Sequence, residues 1–123
     1  MIAHVVLFRP RADLDDDARR GLADSFSTVL QRVGSLKRVR LGRRRLFGHG
    51  YEQLITENYT HVAIMEFEDA AGLQAYLAHP AHAEMASRFF ACFEHALMYD
   101  FELGEGRDAL DALMADEEQR ARP

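Results

Sequence analysis

The sequence predicts an α+β fold, with a four-stranded antiparallel sheet carrying helices on one face. Three observations lead there. Four separated stretches, Ile2–Phe8, Val39–Leu41, Thr60–Glu68 and Leu97–Leu103, concentrate β-branched, aromatic and other apolar residues as strands do. The segments after the first and third stretches repeat apolar residues at three- and four-residue steps, the spacing of an amphipathic helix. With 123 residues and 48% hydrophobic side chains, the chain can bury one core but has no room for two ordinary domains.

In the first strand Ile2, His4, Val6 and Phe8 share one face, and Ala3, Val5 and Leu7 the other. Both faces are largely apolar, so this strand belongs inside a sheet that is covered on both sides. Pro10 stops it, and Asp13 with Asp15–Asp17 supplies the negative entry that suits a helix N-terminus. The helix carries the stripe Leu22, Phe26, Val29, Leu30 and Val33, with Gly34 as its stop.

Val39-Arg40-Leu41 opens a second strand, with Leu46 and Phe47 as a continuation past a bend at Gly42. Gly48-His49-Gly50 reads as a turn and 51–58 as a loop. In the third strand, Thr60–Glu68, His61, Ala63, Met65 and Phe67 share a face. Asp69 caps a short helix through Leu73, Tyr76 and Leu77. Pro80 fits the first turn of the next helix, which should reach about His95. The last strand, Leu97–Leu103, puts Leu97, Tyr99, Phe101 and Leu103 on one side.

The order β–α–β–β–α–β is a ferredoxin-like arrangement. Its helices cover one sheet face only, which would leave an apolar surface in water. A second copy packed sheet against sheet is the simplest cover, so a homodimer is expected. The domain should span 1–104. The tail, 105–123, carries Ala109, Leu110, Leu113 and Met114 as a narrow stripe for packing on its own domain or on its partner.

Several functions are excluded or left unsupported. The single Cys92 rules out an internal disulfide and a cysteine zinc cage, and its phenylalanine neighbours point to inert packing. Ile2–Phe8 is too short to span a membrane and lacks the flanks of a signal peptide, so a cytoplasmic location with no membrane partner is expected. A net charge of −5 does not suggest a nucleic-acid partner. The basic block Lys37, Arg38, Arg40, Arg43, Arg44 and Arg45 reads as a solvated strand edge and loop, or else as an anion site or a dock for the acidic tail. Glu66 and Glu68 read as exposed or dimer-edge charges. No metal is expected from His4, His61, His79 and His82, which include no i, i+4 pair beside a carboxylate. Gly104-x-Gly106 lacks the strand before it and the third glycine of a dinucleotide loop, and no other cofactor is selected.

The stretch Tyr76-Leu77-Ala78-His79-Pro80-Ala81-His82 holds the candidate chemistry. Helical steps from His82 reach Ala86, Phe89 and Phe93, so its imidazole should face the apolar interior. Such a histidine either packs and donates to a carbonyl or works as an acid–base. Enolisation needs a base poised near neutrality and a donor at the carbonyl oxygen, roles open to His82 and Tyr76. Desolvation would depress the pKa of His82 and keep it in the neutral form a base requires. His79 suits a cap. Phe8, Phe26, Met65, Phe89 and Phe93 are candidate walls of a mostly apolar pocket, with His4 and His61 as further polar groups.

Three stretches resemble the stress-responsive α/β-barrel family. They are Met1–Phe8, Thr60-His61-Val62 leading to Glu66-Phe67-Glu68, and Ala71-Gly72-Leu73 through the Tyr76–His82 stretch to Tyr99-Asp100-Phe101. The resemblance covers roughly residues 1–103 and implies a dimeric ferredoxin-like barrel. In a plant polyketide cyclase of the family, of the olivetolic acid type, the last histidine of a His-Pro-Ala-His motif is the base of an aldol condensation. A tyrosine six residues earlier assists it, and two strand histidines line the pocket. The matching positions are His82, Tyr76, His4 and His61. The expected function is binding of a small apolar, aromatic or polyketide-like carbonyl compound, with acid–base chemistry at His82 and Tyr76. The alternative is a non-catalytic stress-response dimer with a filled interior.

Overall fold

The computed structural model describes residues 1–121, with side chains through 115. Arg122 and Pro123 of the expected tail lie outside the described residues. The strands are β1 (Ile2–Pro10), β2 (Leu36–Arg43), β3 (His61–Phe67) and β4 (Phe93–Glu102). The helices are α1 (Asp16–Arg32), α2 (Ala70–Ala78), α3 (Pro80–Cys92) and α4 (Gly106–Ala121). They form one antiparallel sheet in the order β2-β3-β1-β4, the ferredoxin-like α+β topology.

Local chemistry fixes the elements as the sequence suggests in most places. The Asp15 carboxylate accepts from the Ala18 N–H at 2.7 Å and starts α1. Asp69 accepts from Gly72 N–H and starts α2. The His79 ring accepts from Ala81 N–H at 3.0 Å and caps α3, with Pro80 at its first position.

The boundaries differ in four places. α3 ends at Cys92 and not near His95, and β4 begins at Phe93 and not Leu97. The chain passes from helix to strand without a loop, and no breaker in the sequence marks the change. β2 begins at Leu36, three residues early, because a register shift between Leu36 and Arg38 keeps both paired to β3. Leu46 and Phe47 are exposed and outside the sheet, and Gly50–Leu54 forms a short 3-10 turn within the expected loop. The C-cap of α1 is Val33, one residue before the expected Gly34.

α1, α2 and α3 cover one sheet face. There Val29, Val33, Met65, Phe67, Leu73, Tyr76 and Met85 make the core. The pairing Ala3↔Glu66, Val5↔Ile64 and Val5↔Tyr99 sets the residues of the opposite face. On that face Tyr99 and Phe101 remain half exposed. Glu66 corrects one of its two expected readings, exposure: it is buried on this outer face, with guanidinium nitrogens of Arg38 and Arg40 on the neighbouring strand 3.9 and 3.6 Å away. Its charge made it look exposed, yet two members of the basic block cover it. Among the described residues, α4 makes no substantial packing contact with the other elements of its own chain, and Leu110, Leu113 and Met114 are exposed. Among the described residues, no helix is long and apolar enough to cross a membrane.

Candidate functional site

Between α1, α3 and the covered sheet face lies a cavity of about 720 Å³. All nine candidate residues line it: His4, Phe8, His61, Met65, Tyr76, His82, Phe26, Phe89 and Phe93. β1 and β3 contribute His4, Phe8, His61 and Met65 because their alternate side chains point to the helices. Phe93 reaches the same cavity from the start of β4 rather than from the helix face where periodicity put it.

One end of the cavity is polar. The corner between α2 and α3 is held by His79 N–H on the Tyr76 carbonyl and by the His79 cap. That corner brings Tyr76 and His82 edge to face, with ring centroids 4.6 Å apart. The Tyr76 ring is 1% exposed and also meets Phe67 at 5.3 Å and His4 at 6.0 Å. His4 is buried, and its Nδ1–H donates to the Asp100 carboxylate at 2.6 Å. Carboxylates accept only, so this bond puts a proton on Nδ1.

Burial pushes the Tyr76 hydroxyl up to about 12, so it stays a donor throughout the ordinary pH range. The His82 imidazole lies below its usual value of 6.5. Desolvation is the main cause and the nearby His4 charge the second, while a backbone hydrogen bond at Leu77 works the other way. His82 is thus held neutral near pH 7 beside a protonated phenol.

The other end of the cavity is aromatic. Phe8 stacks on His61 at 5.5 Å and meets Phe93 at 4.6 Å and Phe89 at 5.4 Å. The His61 Nδ1 is 2.7 Å from Thr60 Oγ1. Cys92 is buried outside the cavity lining, its thiol pushed up chiefly by burial, in keeping with packing. Among the described residues, no three His, Cys, Asp or Glu side chains converge as metal ligands would.

Sequence reasoning missed Asp100, whose contact with His4 depends on the β1–β4 register. A carboxylate within the apolar run of β4 was the available signal. It also missed Arg11 and Arg19 on the cavity wall and did not connect Arg43 with it.

Residues 2–103 match the family model described as the stress responsive A/B barrel domain. The chain belongs to this family. The barrel-domain protein HS1 of Arabidopsis thaliana is 35% identical over 100 residues, covering 81% of this chain and 87% of HS1. Olivetolic acid cyclase of Cannabis sativa is 19% identical over 100 residues, covering 81% and 94%. Among solved structures, the hydroxynitrile lyase of Passiflora edulis superposes with a TM-score of 0.69 at 16% identity, covering 86% of this chain and 95% of that one. A ferredoxin-like protein from Thermobifida fusca, described as dimeric, does so with a TM-score of 0.61 at 22% identity, covering 83% and 90%. These structural likenesses show the barrel domain's fold. The relatives and neighbours include enzymes that act on small molecules, and a small-molecule site within the barrel domain is consistent with them.

Proposed function

We propose that this protein binds an aromatic or polyketide-like carbonyl compound and catalyses its enolisation or intramolecular aldol cyclisation, working as a homodimeric barrel. The observation that carries the reading is the edge-to-face pair of His82 and Tyr76 on the wall of a largely apolar cavity, where burial lowers the His82 pKa and raises that of Tyr76. His82 takes a proton from the carbon next to a carbonyl. The C–H electron pair moves to the carbonyl oxygen through the enolate, and the Tyr76 O–H donates to that oxygen as charge develops. The enolate carbon then attacks a second carbonyl of the same molecule, and the proton on His82 returns to the new alkoxide.

The 4.6 Å ring separation lets both groups reach one carbonyl unit. The filled-interior alternative does not fit a cavity that touches both residues. The dimer is supported by the apolar outer sheet face and by neighbours described as dimeric. Residues 1–104 form the barrel domain in this reading, and 105–123 are an addition to it.

The test does not require the physiological substrate. Incubation with aryl ketones and β-diketones in heavy water should exchange their α-protons, followed by NMR. In His82→Gln the exchange should vanish while the thermal transition and the oligomeric state persist. Equal exchange in wild type and variant would refute the assignment of the base.

A further inference from the structure

We infer that the ligand of this cavity carries an anionic oxygen group, a carboxylate or a phosphate, at the end remote from His82. This rests on the functional reading above and narrows its substrate class. The chain is acidic overall, with 20 Asp and Glu against 15 Lys and Arg. The cavity wall inverts that balance. It carries no Asp or Glu, but it does carry Arg11, Arg19 and Arg43. A lining with three fixed positive charges and no carboxylate favours an anion.

Arg11 and Arg43 gather at one end because of the topology. His4, Tyr76 and His82 mark the inner end. From His4 to Phe8 is four residue steps along β1, about 14 Å at about 3.4 Å per residue. Arg11 follows just beyond Phe8 on the same strand direction, and its backbone N–H is tied to the Cys92 carbonyl at 3.0 Å. Arg43 lies across the sheet at the same level, paired with His61, which pairs in turn with Phe8.

These guanidinium groups are poised rather than spent. Arg11 uses Nε on the Ala91 carbonyl at 3.1 Å, which orients the fork and leaves its terminal nitrogens. Among the described residues Arg43 has no ion-pair partner. Arg19 meets Asp16 only at 3.6 Å between exposed side chains. Of the acids between Arg11 and Arg19, Asp15 caps α1 and Asp17 pairs with Arg20. Between the two ends the wall is apolar, with Val6, Phe26, Ala63 and Met65. The matching ligand has an anionic head, an apolar body and a reactive carbonyl at the far end.

The test is calorimetric binding, at low salt, of ω-benzoylalkanoates of graded length, their methyl esters and the corresponding phosphates. The acids should bind about tenfold more tightly than the esters. Affinity should peak at a length that bridges about 14 Å between ketone and carboxylate. Arg43→Gln and Arg11→Gln should each reduce the ratio of acid to ester affinity severalfold, and Arg43→Lys should restore part of it. Phosphates outbinding carboxylates, with the excess lost in the double Gln variant, supports the inference with a phosphate-bearing ligand; equal binding of the two supports it with a free acid. Acids and esters binding alike, or a preference that survives the double variant, overturns the inference and leaves the small-molecule reading standing. If neither class binds, both fall. An acid preference retained in a protein that exchanges no α-protons supports the anion site and refutes only the catalytic reading.

Discussion

Replacing Tyr76 by Phe and by Ala should separate its two roles. The ring is 1% exposed and wedged among Phe67, His4 and His82. Truncating a buried aromatic to Ala costs about 3–5 kcal/mol. One side of this ring faces an existing cavity, so the new void merges with space already present. That puts Tyr76→Ala near about 3 kcal/mol. For a domain of this size, at about 2.1 cal/mol/K of unfolding entropy per residue, the loss lowers Tm by about 12 °C. Tyr76→Phe removes only the hydroxyl and should change stability by less than about 1 kcal/mol. It should nevertheless slow α-proton exchange about 100-fold, because the developing oxyanion loses its donor. Scanning calorimetry at fixed protein concentration gives the first quantity and NMR exchange the second. If Tyr76→Phe destabilises as much as Tyr76→Ala, the hydroxyl is structural. If it exchanges at the wild-type rate, the donor role is refuted.

Three further outcomes follow from the structure. The His82 pKa is lowered in the folded chain, so between its folded value and 6.5 the unfolded chain binds more protons. Stability should therefore fall as pH drops from 6.5 toward the folded value, and His82→Gln should flatten that part of a stability–pH curve. The exchange rate should rise with pH through a point below 6.5 and level off by neutrality, as the neutral base becomes fully populated. For the dimer, Phe101→Glu puts a charge on the half-exposed outer sheet face. Sedimentation should find a dimer for the wild type and a monomer for the variant, and a dimer that survives this change would refute packing through that face.

What the sequence revealed depended on whether the cause was local. Alternation in Ile2–Phe8 placed His4 and Phe8 on the helix side, and the His79-Pro80 pair marked the helix start, because both are decided within a few residues. The α3–β4 boundary was hidden: Cys92 and Phe93 suit a helix face or a buried strand equally, and pairing with β1 decides between them. Asp100 and Glu66 were hidden for a similar reason. Each finds its partner through strand register, His4 in one case and Arg38 with Arg40 in the other. A charge whose partners lie elsewhere in the chain cannot be distinguished from a solvated one by local pattern alone.

The cavity itself has an identifiable origin. Large aromatics, Phe8, Phe89 and Phe93, close one end, and Tyr76 with His82 forms the other. Between them Ala23 of α1, Ala63 of β3 and Ala86 of α3 line the gap from three directions. Small residues facing one another across two layers leave space that larger ones would fill. Ala86→Leu should therefore occupy the void from the helix side. Because space is available, the added carbons should change stability by less than about 1.5 kcal/mol. Ligand affinity should fall at least about tenfold, which is about 1.4 kcal/mol of lost binding. Calorimetry of binding alongside denaturant unfolding distinguishes the outcomes. A variant that binds benzoylalkanoates as the wild type does would show that these compounds do not use the alanine-lined middle of the cavity. The carbonyl could then not reach His82 and Tyr76 from an anion seated at Arg11 and Arg43.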